Sequence, residues 1–322
     1  MTGPSQSEIR TTELPALADG EARVRTLFSA ISRGTETLVF EGLVPESERS
    51  RMRAPFQEGD FPGPVKYGYI NVGVVEAGPV ELVGQTVFCL YPHQTLFQVA
   101  ASFLTVIPDE LPAERAVLAA GMETALNALW DSEIKIGDRV VVVGAGVIGT
   151  LCAYLAAQVA GVEVLLVDVD GGKESIANAL GIPFATVVPP QYEADLVFHA
   201  TGHPAGLGTA LAAAGLESRI VELSWYGTRA VAAPLGQEFH AKRLLLQSSQ
   251  VGRLPASQSA RWDYARRLVC AMKLLRDPAL DALITGESAF ADLPTAFGEI
   301  CAPQSRALCH RVRYPASQEK ES

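Results

Sequence analysis

The stretch RVVVVGAGVIG, residues 139–149, decides the fold of this chain. Its four consecutive valines predict a β-strand. The glycines that follow have the spacing G-x-G-x-x-G, which predicts a tight turn into a helix. A second apolar run, residues 162–167, ends at Asp168, nineteen residues after Gly149. Strand, glycine turn, helix, strand and acid thus occur in the order that a dinucleotide-binding βαβ unit requires.

Each glycine of this turn has a predicted task. Gly144 makes the turn out of the strand, Gly146 lets a phosphate approach the backbone, and Gly149 lets helix and strand pack closely. A pyrophosphate would then bind the unpaired N–H groups at the positive end of the helix. The alternative is a membrane span, since residues 140–162 carry no charge. The glycines and the immediate second strand argue against that alternative.

Asp168 predicts the cofactor. A carboxylate at this position accepts hydrogen bonds from both ribose hydroxyls and repels a 2′-phosphate. The next residues, Val169 and Asp170, supply no arginine to hold such a phosphate. NAD(H) is therefore favoured over NADP(H), the alternative being that Asp168 is only a surface acid at a strand end.

Composition limits the class of protein. The 322 residues suffice for two domains, and the net charge of −10 argues against nucleic acid or an anionic membrane as partner. Five scattered cysteines fit buried thiols in a reducing compartment better than a disulfide frame. No apolar segment typical of a secretion signal occurs near the N-terminus. We therefore expect a cytoplasmic protein that acts on a small molecule.

The organisation of the chain changes near residue 120. Residues 1–120 show short strand signals with frequent turns, which predicts a small, partly open barrel. From residue 138 strands alternate with helices, and six strand signals predict a doubly wound sheet. Residues 260–276 are predicted to form an amphipathic helix with Arg266 and Arg267 on its solvent side. The predicted domains are residues 1–120, 121–252 and a return to the first domain over 253–322.

This organisation resembles the medium-chain dehydrogenase/reductase superfamily. Residues 29–36, SAISRGTE, stand where alcohol dehydrogenases carry S-G-x-C-G-T-D, and residues 68–73, GYINVG, stand where they carry G-H-E-x-x-G. Residues 283–285, LIT, resemble their C-terminal L-I-T. The wording I-S-x-G-T-E is also similar to the bacteriochlorophyllide dehydrogenase branch. The resemblance implies an α/β fold, a Rossmann doubly wound parallel sheet plus a GroES-like β-rich substrate domain, and a homodimer through the edge strand near residues 244–248.

The departures from the family pattern concern zinc. The family's first zinc ligand, a cysteine, is replaced by Arg33, and the histidine ligand is replaced by Tyr69. No cysteine lies between Cys89 and Cys152, where the third ligand is expected, and the four-cysteine structural lobe is missing. The sequence therefore predicts a member without zinc.

Further site residues follow from strand ends and from the resemblance, although turns, caps, salt bridges or core packing explain many of them equally well. A polar group must replace the metal that stabilises the substrate oxygen in relatives. The predicted catalytic residues are Thr35, Glu36, Tyr69 and His93. The predicted cofactor-binding residues are Thr124, Gly144, Gly146, Val147, Ile148, Gly149, Asp168, Lys173, Thr201 and Ser224. The predicted substrate-pocket residues are Arg33, Lys66, Tyr91 and Trp225.

Together these features predict a zinc-independent, NAD(H)-dependent oxidoreductase that transfers a hydride between nicotinamide and a secondary alcohol/ketone pair. One alternative is an enoyl or quinone reductase of the same superfamily, although such relatives usually prefer NADPH. The other is a non-catalytic NAD(H)-binding sensor or scaffold that kept the cofactor fold after losing its metal.

Overall fold

A computed structural model describes residues 1–315. It divides into two compact units, Met1–Ala120 with the chain from Leu268 onward, and Gly121–Arg267. The second unit thus continues past residue 252, where the sequence places its end. The reason is packing, because Trp262 lies against Trp130 with ring centroids 4.8 Å apart. Residues 316–322 of the predicted return segment lie outside the described residues.

The secondary structure is as follows. The strands are β1 Glu21–Ile31, β2 Glu58–Gly59, β3 Val65–Lys66, β4 Asn71–Ala77, β5 Thr86–Cys89, β6 Leu96–Ala100, β7 Thr105–Val106, β8 Arg139–Val143, β9 Glu163–Val167, β10 Phe184–Ala185, β11 Ala194–His199, β12 Ala214–Glu222, β13 Leu245–Ser248, β14 Ile284–Ala289 and β15 Cys309–Arg313. The α-helices are α1 Arg33–Phe40, α2 Ala113–Ala116, α3 Ala119–Ser132, α4 Val147–Ala156, α5 Glu174–Ala179, α6 Pro204–Ala213, α7 Ala256–Ser259, α8 Tyr264–Leu274 and α9 Leu293–Cys301.

The first unit is built on a mixed sheet in the order β14-β15-β1-β4-β5-β7, with β6 also paired to β1. Strand β1 is its centre: it pairs with β4 along one edge and with β6 and β15 along the other. Its side chains alternate, so that Ala22, Val24 and Thr26 are buried. Helices α1 and α9 pack together through the stacked rings of Phe40 and Phe297.

The second unit contains a six-stranded parallel sheet in the order β10-β9-β8-β11-β12-β13. The valines at 140–143 are buried at its centre, as their uninterrupted apolar run predicts. The predicted fold class is confirmed. The uncharged stretch 140–162 is divided between β8 and α4, and no helix within residues 1–315 is long and apolar enough to cross a membrane.

One sequence prediction for this unit is wrong. Arg267 does not face solvent from α8 but is buried. Its Nε lies 3.0 Å from Glu123 Oε1, and its Nη1 lies 2.7 Å from Asn127 Oδ1. Only Arg266 is exposed, with its guanidinium over the Trp262 ring. Periodicity could not separate the two arginines, because a long cationic side chain is buried only where a distant acid pairs with it.

This buried pair gives a stability prediction. Arg267→Met leaves the Glu123 carboxylate buried without its cation, so the free energy of unfolding should fall by about 3–5 kcal/mol. Arg266→Met is the matched control, and it should cost less than about 1 kcal/mol because that side chain is exposed. Urea unfolding followed by tryptophan fluorescence measures both. Equal losses in the two variants would contradict the structural role of Arg267.

Candidate functional site

The glycine turn after β8 has one constrained side and one open side. At Gly144, whose φ is +109°, an added Cβ would come within 2.8 Å of the Ala200 backbone carbon, and at Gly149 it would come within 1.8 Å of the Gly144 oxygen. At Gly146 an added Cβ would meet nothing within 4 Å. Gly144 and Gly149 are therefore required by packing, whereas Gly146 leaves a free cradle at the start of α4. The arrangement fits a phosphate bound on helix N–H groups.

This cradle lies at the switch point of the sheet. From β8 the chain runs through β9 and β10 on one side and then through β11, β12 and β13 on the other. Parallel sheets bind dinucleotides at the carboxyl ends of their strands where the order reverses in this way. Of the predicted cofactor residues, those of the glycine turn follow β8, Asp168 follows β9, Thr201 follows β11 and Ser224 follows β12, while Thr124 lies on α3 and Lys173 just before α5.

The Asp168 carboxylate is tied to the glycine turn itself. Its Oδ2 accepts the Ala145 N–H at 2.8 Å and the Lys173 ammonium at 2.7 Å, and its Oδ1 accepts the Asp170 N–H at 3.0 Å. Burial raises the pKa of this carboxyl, but these donors together lower the pKa below its usual value. Asp168 is therefore ionised at neutral pH, and Oδ1 retains capacity to accept a hydroxyl. Lys173 is thus a partner of Asp168.

In the first unit, hydroxyl groups gather at the start of α1. The Tyr69 hydroxyl donates to Ser32 Oγ at 2.5 Å, and Thr35 lies three residues further along the chain, in the first turn of α1. Burial of this hydroxyl, reinforced by the charge of Glu36, raises the pKa of Tyr69 to about 12. The phenol is therefore neutral at physiological pH and is a hydrogen-bond donor, while the Thr35 and Tyr69 side chains stay partly exposed.

Behind these hydroxyls lies a buried chain of hydrogen bonds. His93 Nε2 is 3.0 Å from Glu36 Oε2, and His93 Nδ1 is 2.7 Å from Ser29 Oγ, which in turn is 3.0 Å from the Tyr314 hydroxyl. The other Glu36 oxygen accepts the Ser32 N–H at 2.8 Å. Glu36 is fully buried and the His93 side chain is 5% exposed. The structure therefore joins Glu36, Tyr69 and His93 in one network, in which His93 has both ring nitrogens occupied, and places Thr35 next to Glu36 in α1.

The predicted substrate-pocket residues are less uniform. Tyr91 is part of the apolar core, its ring stacked on Phe97 with centroids 4.0 Å apart, which contradicts the pocket prediction. A buried aromatic side chain contributes a large apolar surface to core packing, so it is not free to line a substrate pocket. Lys66 forms an ion pair with Glu58 and, with His93, borders a small cavity of about 70 Å³. Arg33 begins α1 and Trp225 follows β12, and both are partly exposed.

The residues at the family's zinc-ligand positions do not fit zinc. The Arg33 guanidinium is cationic and has no lone pair for a metal. The Tyr69 phenol donates to Ser32 Oγ, and a phenol is not among the cysteine, histidine and carboxylate ligands that zinc sites use. Among residues 1–315, no cluster of three or more His, Cys, Asp or Glu side chains is arranged to hold a metal ion.

Several site residues escape the sequence reasoning. Ser29, Ser32 and Tyr314 join the network of Glu36 and His93, and His199 and Glu222 form a second buried network in the other unit. The position of His93, which the sequence did predict, is explained by Gly68: this glycine has φ +132°, and a Cβ there would lie 2.9 Å from His93 Cδ2. A glycine directly before the lost histidine ligand thus marks a close approach of two segments.

Sequence comparison finds related dehydrogenases. No family model matches the chain. An uncharacterised zinc-type alcohol dehydrogenase-like protein of Haemophilus influenzae is 35% identical over 103 residues, which are 32% of this chain and 29% of that protein. A D-guloside 3-dehydrogenase of Escherichia coli K12 is 23% identical over 327 residues, covering 92% of this chain and 93% of that enzyme.

Solved structures share the fold at low identity. The 2R,3R-butanediol dehydrogenase of Bacillus subtilis superposes with a TM-score of 0.76 at 18% identity over 98% of both chains. An alcohol dehydrogenase of E. coli CFT073 complexed with NADH gives 0.74 at 18% identity over 97% of both chains. A Sinorhizobium meliloti dehydrogenase bound to NADP gives 0.75 at 16% identity, over 97% of this chain and 98% of that one.

The fold and these sequence similarities are those of alcohol dehydrogenase-like proteins of the medium-chain dehydrogenase/reductase superfamily.

Proposed function

We propose that this protein is an NAD(H)-dependent oxidoreductase that interconverts a secondary alcohol and a ketone without zinc. The observation that carries the proposal is the open cradle at Gly146, located where the strand order reverses in a parallel sheet. The hydroxyl cluster of the first unit supports the choice of reaction. The alcohol dehydrogenase-like relatives, which include a D-guloside 3-dehydrogenase, support a hydroxylated substrate.

The second unit has the groups that a dinucleotide needs. Gly146 and the N–H groups at the start of α4 would hold the pyrophosphate, and Asp168 Oδ1 would accept a hydroxyl of the adenosine ribose. Thr201 and Ser224 would hold the nicotinamide half of the cofactor. Bound in this way, the nicotinamide ring supplies the hydride acceptor or donor for the reaction.

The preference for NAD(H) rests on Asp168. Its ionised carboxylate would repel a 2′-phosphate, so NADH should bind more tightly than NADPH. Asp168→Ala should weaken NADH binding about tenfold and narrow the difference between the two cofactors. Fluorescence titration of both cofactors measures this, with Asp170→Asn as the neighbouring control. Tighter NADPH binding by the unmodified protein would remove the assignment.

The substrate oxygen would bind the hydroxyls of Thr35 and Tyr69, two residues that are partly exposed. During oxidation the carbon gives a hydride to the nicotinamide ring and the oxygen loses a proton, which Tyr69 and Ser32 would pass to solvent water. In the reverse direction the neutral Tyr69 would turn its O–H from Ser32 to the developing alkoxide, as an oxyanion-hole donor does, and water would supply the proton. Glu36 and His93 act as positioning residues, because their side chains are buried and hydrogen-bonded to one another.

Zinc independence is supported by ligand chemistry at Arg33 and Tyr69. The protein purified from a zinc-containing medium should hold far less than one equivalent of zinc. Elemental analysis after gel filtration measures this, and a zinc-type alcohol dehydrogenase treated in parallel is the control. Stoichiometric zinc that survives gel filtration would overturn this part of the proposal.

The reaction class can be tested directly. We expect NADH consumption or formation with a panel of polyols, glycosides and their keto derivatives, measured at 340 nm. Enones and quinones in the same panel test the enoyl and quinone reductase alternative. Tight NADH binding with no turnover of any compound would instead favour the non-catalytic sensor.

We also propose that the protein forms a homodimer. Strand β13 is at one end of the parallel sheet, and its Leu245 is 46% exposed. An exposed apolar residue on an edge strand suits pairing with a second copy.

A further inference from the structure

His199 and Glu222 form a buried pair at the carboxyl ends of β11 and β12. His199 is fully buried, and its Nδ1 lies 2.7 Å from Glu222 Oε2. The Tyr226 hydroxyl donates to the same carboxylate oxygen at 2.9 Å. Burial alone would raise the pKa of Glu222, but its hydrogen bonds and the charge of His199 lower that pKa overall. Glu222 therefore accepts hydrogen bonds as a carboxylate.

Glu222 orients the His199 ring. Because the Glu222 carboxylate only accepts, His199 Nδ1 carries a hydrogen and donates it. The other ring nitrogen, Nε2, lies 2.7 Å from Thr201 Oγ1. The exposed Thr201 hydroxyl also donates to the His203 carbonyl oxygen at 3.1 Å, and its oxygen accepts the His203 N–H at 3.0 Å. His199 in this way holds the turn of residues 201–203.

Glu222 also holds the neighbouring turn. Its second oxygen, Oε1, accepts the Ser224 N–H at 2.7 Å, and Ser224 Oγ accepts the Gly202 N–H at 3.1 Å. One carboxylate therefore links the turn after β11 to the turn after β12. Gly206 packs directly against this pair of side chains, since a Cβ there would lie 2.4 Å from both His199 Nε2 and Thr201 Oγ1.

We propose that His199 and Glu222 are positioning residues for the nicotinamide half of the cofactor. The proposal rests on the proposed function, which puts a dinucleotide at this edge of the sheet. Asp168 lies on the β9 side of the switch point and serves the adenosine ribose. The second nucleotide half then falls on the side of β11 and β12, where Thr201 and Ser224 are held.

The experiment compares a whole cofactor with its adenosine half. His199→Asn keeps a side-chain donor for Glu222 but is too short to reach Thr201. NADH should bind this variant about tenfold more weakly, whereas the affinity for AMP should change less than about twofold. Calorimetric titration with NADH and with AMP measures both. Glu163→Gln, on the exposed amino end of β9, is the control and should leave both affinities unchanged.

A second variant separates positioning from a general loss of structure. Thr201→Val removes the hydroxyl from an exposed residue, so it tests the proposal even if His199→Asn fails to fold. It should weaken NADH binding selectively as well. In the double variant the two losses should not add, because His199 acts through Thr201.

The outcomes distinguish this inference from the proposed function. Selective and non-additive loss of NADH binding supports the positioning role. Unchanged NADH binding in both single variants, or equal loss of NADH and AMP, overturns it and leaves the proposed function standing. An unmodified protein that binds neither NADH nor AMP overturns the proposed function, and this inference with it.

Discussion

Gly146→Val is expected to abolish measurable NADH binding while the protein stays folded. The Gly146 backbone has φ −77° and ψ −178°, a conformation that valine adopts readily, and its Cβ would enter open space. That space is where the pyrophosphate would approach the backbone, so NADH affinity should fall at least about hundredfold. Fluorescence titration and a thermal melt, on the same sample, measure the two properties.

Gly149→Ala is the matched comparison, with the opposite expected result. Its Cβ would lie 1.8 Å from the Gly144 oxygen, a backbone atom that cannot move without displacing β8 from α4. We expect little folded protein from this single methyl group. A folded Gly146→Val variant with unchanged NADH affinity would contradict the cofactor site.

Tyr69→Phe is expected to lower kcat by about 10²–10³-fold with little change in NADH affinity. Phenylalanine keeps the ring in place but removes the hydroxyl that donates to Ser32 and that would hold the substrate oxygen. Steady-state kinetics with any active alcohol from the panel measure the effect. The separation of kcat from NADH binding identifies a role in chemistry.

Tyr67→Phe is the control for that experiment. Tyr67 is the neighbouring buried tyrosine, its ring 6.2 Å from that of Tyr69, and it is assigned no part in the reaction. Its variant should retain kcat within about threefold. Equal losses in the two variants would show that Tyr69 serves packing alone.

Local patterns predict the βαβ fold at the start of the second unit well. The buried valines of β8, the glycine spacing and the acid after β9 are consecutive signals, so each confirms the register of the next. The clash distances at Gly144 and Gly149 give the physical reason for that spacing. The end of that unit has no such local signal, because it depends on the contacts of Trp262 with Trp130 and of Arg267 with Glu123.

Long-range contacts explain what the sequence did not predict. His199 and Glu222 lie in apolar strands with no local motif, and only the parallel register of β11 and β12 brings them together. Tyr314 reaches Ser29 from the other end of the chain. Tyr91 is an error of the opposite kind. The family resemblance predicts a pocket residue, whereas in the structure the Tyr91 ring belongs to an aromatic core.

We propose that hydroxyl groups replace zinc in this NAD(H)-dependent oxidoreductase. The most direct test is the steady-state rate of NADH-coupled turnover before and after prolonged treatment with a strong zinc chelator. We predict the same rate in both samples, because the hydroxyls of Thr35 and Tyr69 are covalently part of the chain. Loss of turnover on chelation, restored by adding zinc, would contradict the claim.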